Sequence, residues 1–186
     1  MIEEAKSRFA VDPERIYIIG HSNGGFIAYT MACIRPDLIR GVVSIAGTTY
    51  VTAEECKNPA PTNILHIHGD LDPTVGYESL NRSPGALTTV GRWATINGCQ
   101  TRTDQADALD LVRVKWEVGV DQHGKPALDG KFLDFVSLDF KKETDTSIWS
   151  DCTGDSRVEL WKVKGSKHVP SFWGTGVIEQ ALNFVR

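Results

Sequence analysis

The stretch that decides the fold, RIYIIGHSNGG, runs from Arg15 to Gly25 and joins two different patterns. Its first half is rich in β-branched apolar residues, which is typical of a short buried strand. Its second half has the form Gly-x-Ser-x-Gly, from Gly20 to Gly24, with Ser22 at the centre. The apolar residues that follow, FIAYTMACI, predict a buried helix. The order is therefore strand, tight turn and helix, and the turn presents a serine.

Outward from this stretch, short apolar segments alternate with helical segments. Residues 41–47, 62–70 and 157–165 each predict a strand, and residues 85–97 and 176–186 predict helices with an apolar face. Strands that alternate with helices usually form a parallel sheet with helices on both faces. The predicted fold class is therefore α/β, with a mostly parallel sheet.

The domain organisation follows from length and composition. A chain of 186 residues, 41% hydrophobic and 24% charged, suits one globular domain over residues 1–186. Residues 100–151 interrupt the α/β alternation, because they are rich in Asp, Lys and Thr and contain two pieces with alternating apolar residues. We interpret them as an inserted β-hairpin or small β-rich subdomain with a turn near His123 and Gly124.

The charge and hydropathy of the chain argue against some classes of binding partner. The chain has 20 Lys and Arg against 24 Asp and Glu, a formal net charge of -4, and no basic stripe. These features argue against nucleic acid and against an anionic membrane surface as partners. No apolar run approaches the roughly 18 residues that cross a bilayer, and the charged N-terminus lacks the apolar core of a signal peptide. A small neutral or weakly polar ligand fits better.

The strand–Gly-x-Ser-x-Gly–helix context is that of a nucleophile elbow, a sharp turn that exposes a serine hydroxyl. Gly20 and Gly24 are expected to remove Cβ atoms that would clash where strand and helix approach, while His21 points away from the serine. The helix that begins at Asn23 supplies N–H groups and a positive dipole end where a tetrahedral oxyanion forms. For the pentapeptide alone, a chance glycine-rich turn is the alternative.

A serine nucleophile needs a base, and the base needs a carboxylate. The third predicted strand is followed by Asp70 and Asp72, and the fourth by His168. Because ligands bind at the carboxyl ends of strands in such sheets, Ser22, one acid and His168 are expected to converge in one crevice. Of the two acids, Asp72 is preferred, because it lies further along the loop and is stiffened by Pro73.

The other histidines are weaker candidates for the base. His66 and His68 fall within a buried strand, where a histidine is usually a hydrogen-bonded core residue. With Asp70 and Asp72 they also alternate like a metal-binding HxHxD strand end. However, Leu71 stands where the metallo-β-lactamase family has another histidine, and the α/β alternation is wrong for that fold. A metal-dependent hydrolase is therefore a minor alternative, and we expect neither a metal nor a cofactor.

Four blocks of sequence carry a family resemblance: DPERIYIIGHSNGGFIAYTMAC, LHIHGDLDPTV, WATINGC and VELWKVKGSKHVP. Together they resemble the polyhydroxybutyrate depolymerase and feruloyl esterase-like branch of the α/β-hydrolases. The resemblance implies a serine carboxylic ester hydrolase that acts on a small-molecule or polymeric ester through an acyl-enzyme intermediate. Ser22 matches the nucleophile, Asp72 the acid and His168 the base, and Asn23 matches a donor of one oxyanion N–H.

The four cysteines lack CxxC and Cys/His metal spacing, so the residues alone leave open two disulfides in any of three connectivities or four free thiols. Cysteines in enzymes of this family often pair locally. The resemblance therefore implies disulfides Cys33–Cys56 and Cys99–Cys152, and with them a secreted or periplasmic protein.

Two departures from the family pattern limit what carries over. Relatives have a glycine-rich segment near the histidine where this chain reads GSKHVPSFW, so substrate contacts over residues 169–173 do not transfer. Trp93, Trp161 and Trp173 are candidates for an aromatic substrate pocket, although such residues more often lie in the core. The family also has about four strands before the elbow strand, and this sequence shows none of them. In the family, a loop among those strands donates the second oxyanion N–H.

The missing strands leave two interpretations. The chain is either the C-terminal portion of a longer hydrolase, truncated at its N-terminus, or a naturally short variant. The alternative function is that of a catalytically weak or silent binding module. The elbow strand is central in the family, so its open edge predicts a homodimer in which two elbow strands pair across a two-fold axis.

Overall fold

The computed structural model describes residues 1–50, 52–79, 83–111, 114–116, 136–138, 142–169 and 176–185. The α-helices in these ranges are α1 (Ile2–Arg8), α2 (Asn23–Ile34), α3 (Ala86–Ile96) and α4 (Val177–Val185). The strands are β1 (Tyr17–His21), β2 (Gly41–Ile45), β3 (Asn63–Gly69), β4 (Thr101–Leu109), β5 (Val114–Trp116), β6 (Val136–Leu138), β7 (Thr144–Ser150) and β8 (Val158–Val163). Within the described ranges, no helix is long and apolar enough to cross a membrane.

The main sheet has six strands in the order β1-β2-β3-β8-β7-β4. Strands β1, β2, β3 and β8 are parallel, whereas β7 pairs antiparallel with β8, and β4 pairs antiparallel with β7. The predicted α/β class is confirmed, and the sheet is mixed. The parallel strands are those that the apolar segments of the sequence predicted.

Helices cover both faces of the parallel strands. On one face α2 and α3 pack with Val42 and Ile64, and on the other α4 packs with Val43 and Leu65. Successive residues of a strand point to opposite faces, so a strand covered on both sides is apolar at every position. This burial explains why the apolar residues of β2 and β3 do not alternate with exposed ones, and the polar side chains Ser44, His66 and His68 in these strands are themselves buried.

Residues 100–151 contribute their two ends to the main sheet. β4 and β7 pair with each other, and β7 also pairs with β8. β5 and β6 form a separate two-stranded antiparallel sheet. The predicted turn near His123 and Gly124 lies outside the described residues. The ends of this segment thus widen the main sheet at the edge opposite β1.

The structure contains both disulfides that the resemblance implied, Cys33–Cys56 and Cys99–Cys152. The first links the end of α2 to the loop before β3, and the second joins the two ends of the inserted segment. Because they close sequence separations of 23 and 53 residues, each stabilises the fold by about 3 to 4 kcal/mol in the chain-entropy model.

The outer edge of β1 is where the sequence predicts that a second copy of the chain would pair. Among the described residues, β1 pairs on one side only, with β2, and Ile19 on this strand is 37% exposed. An uncovered apolar edge favours pairing with another chain. Pairing with a second copy stays a prediction: sedimentation at micromolar concentration is expected to detect a dimer, and Ile19→Lys is expected to give a monomer. A monomeric unmodified protein would contradict it.

Candidate active site

Ser22 lies at the turn between β1 and α2, where it is the N-cap residue of the helix, with φ 53° and ψ -118°. A positive φ is uncommon for a residue other than glycine, and such strain is often found at functional sites. The turn also demands a close approach of strand and helix. A Cβ atom at Gly20 would lie 2.2 Å from the carbonyl carbon of Gly24, so only glycine fits at this position.

Gly24 does not have the steric role that the sequence pattern suggested. A Cβ atom there would have nothing within 4 Å, so the expectation that both glycines relieve a clash is wrong for Gly24. Two other glycines allow the close contacts instead. A Cβ at Gly25 would lie 2.3 Å from Ser44 Oγ, and one at Gly47 would lie 2.6 Å from the carbonyl oxygen of Ser22. The turn after β2 therefore packs directly against the elbow.

Three side chains that follow three parallel strands meet at one edge of the sheet. Ser22 Oγ lies 2.9 Å from His168 Nε2, and His168 Nδ1 lies 2.7 Å from Asp72 Oδ2. Both distances are within hydrogen-bond reach. In this arrangement the imidazole Nδ1–H donates to the carboxylate, and the serine hydroxyl donates to Nε2. The structure thus brings together the three residues proposed as nucleophile, base and acid.

Asp72, and not Asp70, is the carboxylate that is hydrogen-bonded to His168. Asp70 Oδ1 accepts a hydrogen bond from the Gly165 N–H at 2.7 Å, which joins the loops after β3 and β8. Asp72 Oδ1 accepts hydrogen bonds from the N–H groups of Thr74 and Val75 at 2.8 and 2.9 Å. Burial raises the pKa of the Asp72 carboxyl. The hydrogen bonds from His168 and from these two amides outweigh burial and hold the pKa below its usual value.

His21, the residue before the serine, supports the loop that carries His168. Its Nε2–H donates to the backbone carbonyl oxygen of His168 at 2.8 Å, and the two rings lie with their centroids 5.0 Å apart. His21 therefore helps to hold the backbone of the candidate base, and its own ring is not hydrogen-bonded to the serine hydroxyl in this arrangement.

Asn23 is the first residue of α2. The N–H groups in the first turn of a helix have no intrahelical acceptor, and the helix dipole adds partial positive charge at this end. The backbone of Asn23 is thus suited to stabilise negative charge that forms beside Ser22, and its role as an oxyanion donor stays a prediction.

His66 and His68 are fully buried in β3, and their ring nitrogens have hydrogen-bond partners. His66 Nδ1 lies 2.8 Å from Tyr29 Oη, and His66 Nε2 lies 2.9 Å from His68 Nδ1. His68 Nε2 lies 2.7 Å from the carbonyl oxygen of Val75. Among the residues that the structure describes, no group of three or more His, Cys, Asp or Glu is placed to hold a metal ion. The two histidines of the HxHxD pattern are therefore hydrogen-bonded core residues.

These buried histidines predict how stability depends on pH. Burial lowers the pKa of His66 well below the ordinary 6.5, and burial also lowers the pKa of His68. Below that ordinary value the unfolded chain binds protons that the folded state does not, so stability falls as pH falls. Between about pH 7.5 and about pH 5.5, His66 alone is expected to lower the free energy of unfolding by about 1.4 kcal/mol.

Urea unfolding at the two pH values measures this difference, and His66→Gln, which removes the titrating ring, is the control. We expect the variant to lose less stability on acidification than the unmodified protein. Equal losses for the two proteins would contradict the prediction.

Two of the three tryptophans that were candidates for an aromatic pocket lie in the core instead. Trp93 and Trp161 are 0% and 5% exposed, which is the more usual position that the sequence analysis gave for such residues. Both pack in the clusters that fill the two faces of the sheet. Trp173, the third candidate, lies outside the described residues.

An apolar groove of about 270 Å³ lies along α2 instead. Its helical wall contains Phe26, Thr30 and Ile34, which share one face because they are spaced four residues apart. Thr48 and Tyr50, after β2, also line the groove. Phe26 lies one helical turn after the serine. The four-residue spacing in FIAYTMACI was the available sequence signal. The sequence predicted a buried helix, whereas Ile27 and Ile34 of α2 are each 60% exposed.

The serine, the acid and the histidine follow parallel strands in that order along the chain, and the serine lies on a strained strand-to-helix turn. This arrangement defines an α/β-hydrolase. The family model described as "Phospholipase/Carboxylesterase" matches residues 2–105, more than half of the chain. This chain belongs to that family.

Proteins similar to the chain include esterases and a depolymerase. Feruloyl esterase B of Piromyces equi is 32% identical over 110 residues, 53% of this chain and 20% of that protein. Poly(3-hydroxyalkanoate) depolymerase C of Paucimonas lemoignei is 32% identical over 87 residues, 44% of this chain and 21% of that protein. The matches thus span about a fifth of each curated relative's length.

A solved structure shares the fold over nearly the whole chain. The acetyl xylan esterase from Aspergillus awamori matches 99% of this chain and 65% of its own chain, with a TM-score of 0.63 and 13% sequence identity. At 13% identity, this comparison shows a shared fold alone.

Proposed function

We propose that this protein is a serine carboxylic ester hydrolase that acts through an acyl-enzyme intermediate. The observation that carries the proposal is the hydrogen-bonded series from Ser22 through His168 to Asp72, with the serine on a strained elbow. Membership of the phospholipase and carboxylesterase family supports the same class of reaction. The proposed chemistry uses side chains and backbone N–H groups, with no metal or cofactor.

In the acylation step, Ser22 Oγ attacks the ester carbonyl carbon while His168 Nε2 takes the hydroxyl proton. Asp72 holds the Nδ1–H tautomer and stabilises the imidazolium that forms. The N–H of Asn23 donates to the oxyanion of the tetrahedral intermediate. His168 then gives the proton to the departing alkoxide, and the C–O bond to the alcohol breaks.

In the deacylation step, a water molecule attacks the acyl-enzyme while His168 Nε2 takes one of its protons. The second tetrahedral intermediate collapses, the proton returns to Ser22 Oγ, and the carboxylic acid leaves. We propose a small-molecule or polymeric carboxylic ester as substrate, with its apolar part in the groove along α2.

Labelling with a fluorophosphonate probe tests the proposed nucleophile. We expect one probe per chain, located on Ser22 by peptide mass spectrometry, and little labelling of His168→Ala, because the hydroxyl then has no base. Ser7→Ala, which changes an exposed serine of α1, is the matched control and should label like the unmodified protein. A probe found on another serine, or no labelling of the unmodified protein, would contradict the proposal.

We also propose that the protein is secreted or periplasmic, because disulfides persist mainly in oxidising compartments. Titration of the unreduced, denatured protein is expected to detect no reactive thiol, since all four cysteines are paired. Four reactive thiols would contradict both the disulfides and the proposed location.

A further inference from the structure

A second series of hydrogen bonds reaches the acid of the candidate triad from the protein interior. It begins at the hydroxyl of Tyr29 in α2, passes through His66 and His68 in β3, and ends at the loop after β3. These three side chains are 1%, 0% and 0% exposed. His68 Nε2 lies 2.7 Å from Val75 O and 3.2 Å from Asp72 Oδ2, so its single N–H faces two acceptors.

The carbonyl oxygen of Val75 fixes the direction of the whole series. A carbonyl has no hydrogen to donate, so His68 Nε2 is the donor to it. In neutral His68, Nδ1 is then an acceptor, and His66 Nε2–H donates to it. His66 Nδ1 is left to accept from the Tyr29 hydroxyl. Burial lowers the pKa of both histidines, which keeps the rings neutral at neutral pH.

The Asp72 carboxylate therefore faces four N–H groups. Its Oδ1 accepts from the amides of Thr74 and Val75, and its Oδ2 lies close to His168 Nδ1 and His68 Nε2. Three of these donors are in loops, whereas His68 belongs to a central strand of the sheet. His68 thus connects the carboxylate to a buried central strand of the main sheet.

We propose that His68 is a positioning residue for Asp72, and that His66 and Tyr29 hold His68 in its Nε2–H tautomer. The opposite tautomer of His68 would place a nitrogen lone pair against the Val75 carbonyl and the carboxylate, and would repel both. The N–H that faces both acceptors ties the Asp72–Val75 loop to β3 and limits rotation of the carboxylate. The proposal rests on the proposed esterase function, in which Asp72 orients His168.

The matched variants His68→Gln and His68→Leu test the role in catalysis. The Gln side-chain amide places an N–H donor near the position of imidazole Nε2, whereas Leu has similar volume and no donor. We expect His68→Leu to lower kcat for p-nitrophenyl acetate by about 10²-fold, because a small misplacement of a catalytic group has an effect of that size. KM is expected to change little, and His68→Gln is expected to recover most of kcat.

A purely structural role predicts a different result, since both variants would then lose thermal stability while kcat per folded molecule stayed unchanged. That outcome, or equal kcat losses for the two variants, would overturn the proposal. If His68→Leu fails to fold, Tyr29→Phe tests the same series of hydrogen bonds, because it keeps the core volume. It is expected to lower kcat by about threefold, because His66 loses the hydroxyl that holds its ring, and an unchanged kcat would remove Tyr29 from the series.

Ring-nitrogen NMR of histidine-labelled protein gives a readout that needs no turnover. We expect Nε2–H tautomers for His66 and His68 in the unmodified protein, and a broadened His168 Nδ1–H signal in His68→Leu. If the unmodified protein hydrolyses no ester, the proposed function fails while these spectra still test the positioning of Asp72. Nδ1–H tautomers, or an unchanged His168 signal in the variant, would overturn the inference.

Discussion

Ser22→Ala is expected to lower kcat for hydrolysis of p-nitrophenyl acetate by at least about 10⁴-fold, because the variant has no hydroxyl for His168 to activate. The methyl group of alanine occupies less space than the hydroxymethyl group, so the elbow should fold normally. Steady-state kinetics of the purified variant measure the effect, and Ser7→Ala, prepared in parallel, should match the unmodified protein.

The same experiment separates a hydrolase from a silent binding module. Loss of one oxyanion donor costs about 10²- to 10³-fold in kcat, so a site that used the Asn23 N–H alone would still turn over an activated ester at a measurable rate. Equal rates for the unmodified protein and Ser22→Ala would contradict the proposed function and favour the binding module.

Asp72→Asn is expected to lower kcat by about 10⁴-fold while the fold stays intact. The N–H groups of Thr74 and Val75 both point at the Oδ1 position, so the amide oxygen of the variant should occupy that place. The amide NH₂ group would then face His168 Nδ1 and favour the tautomer that accepts there. His168 Nε2 would carry the hydrogen and could no longer take the proton of the serine hydroxyl.

Asp70→Asn is the matched control for this substitution. Asp70 accepts a hydrogen bond from the Gly165 N–H, and an asparagine oxygen can accept the same bond. Its kcat is expected to stay within about twofold of the unmodified protein, since the side chain is not bonded to His168. A larger loss from Asp70→Asn than from Asp72→Asn would show that the acid is assigned wrongly.

The parallel part of the fold and the convergence of the candidate triad were predictable because their signals are local. Gly20 lies in β1 and Ser22 directly follows that strand, so the turn geometry depends on one short stretch of sequence. The acid and the histidine could be placed because parallel strands end at the same edge of a sheet. No long-range geometry was needed beyond that rule.

The contacts that the sequence did not reveal join segments far apart in the chain. Gly47 packs against the Ser22 carbonyl, and Tyr29 bonds to His66, 37 positions later. Such contacts depend on which residues of neighbouring elements face each other, which no single segment encodes. β4 was also hard to recognise as part of the main sheet, because most of its residues are exposed and it lacks an apolar face.

The disulfide Cys99–Cys152 has a consequence for how this chain can vary. It joins the two ends of residues 100–151, whose arms β4 and β7 form the sheet edge farthest from the elbow strand. The remainder of the protein therefore meets this segment as a closed loop with fixed ends, whatever its internal length. Insertions and deletions inside the loop leave the spacing of the serine, acid and histidine loops untouched. The part of the segment between β4 and β7 and the hydrolase core can accordingly vary as two separate units, while β4 and β7 stay part of the main sheet.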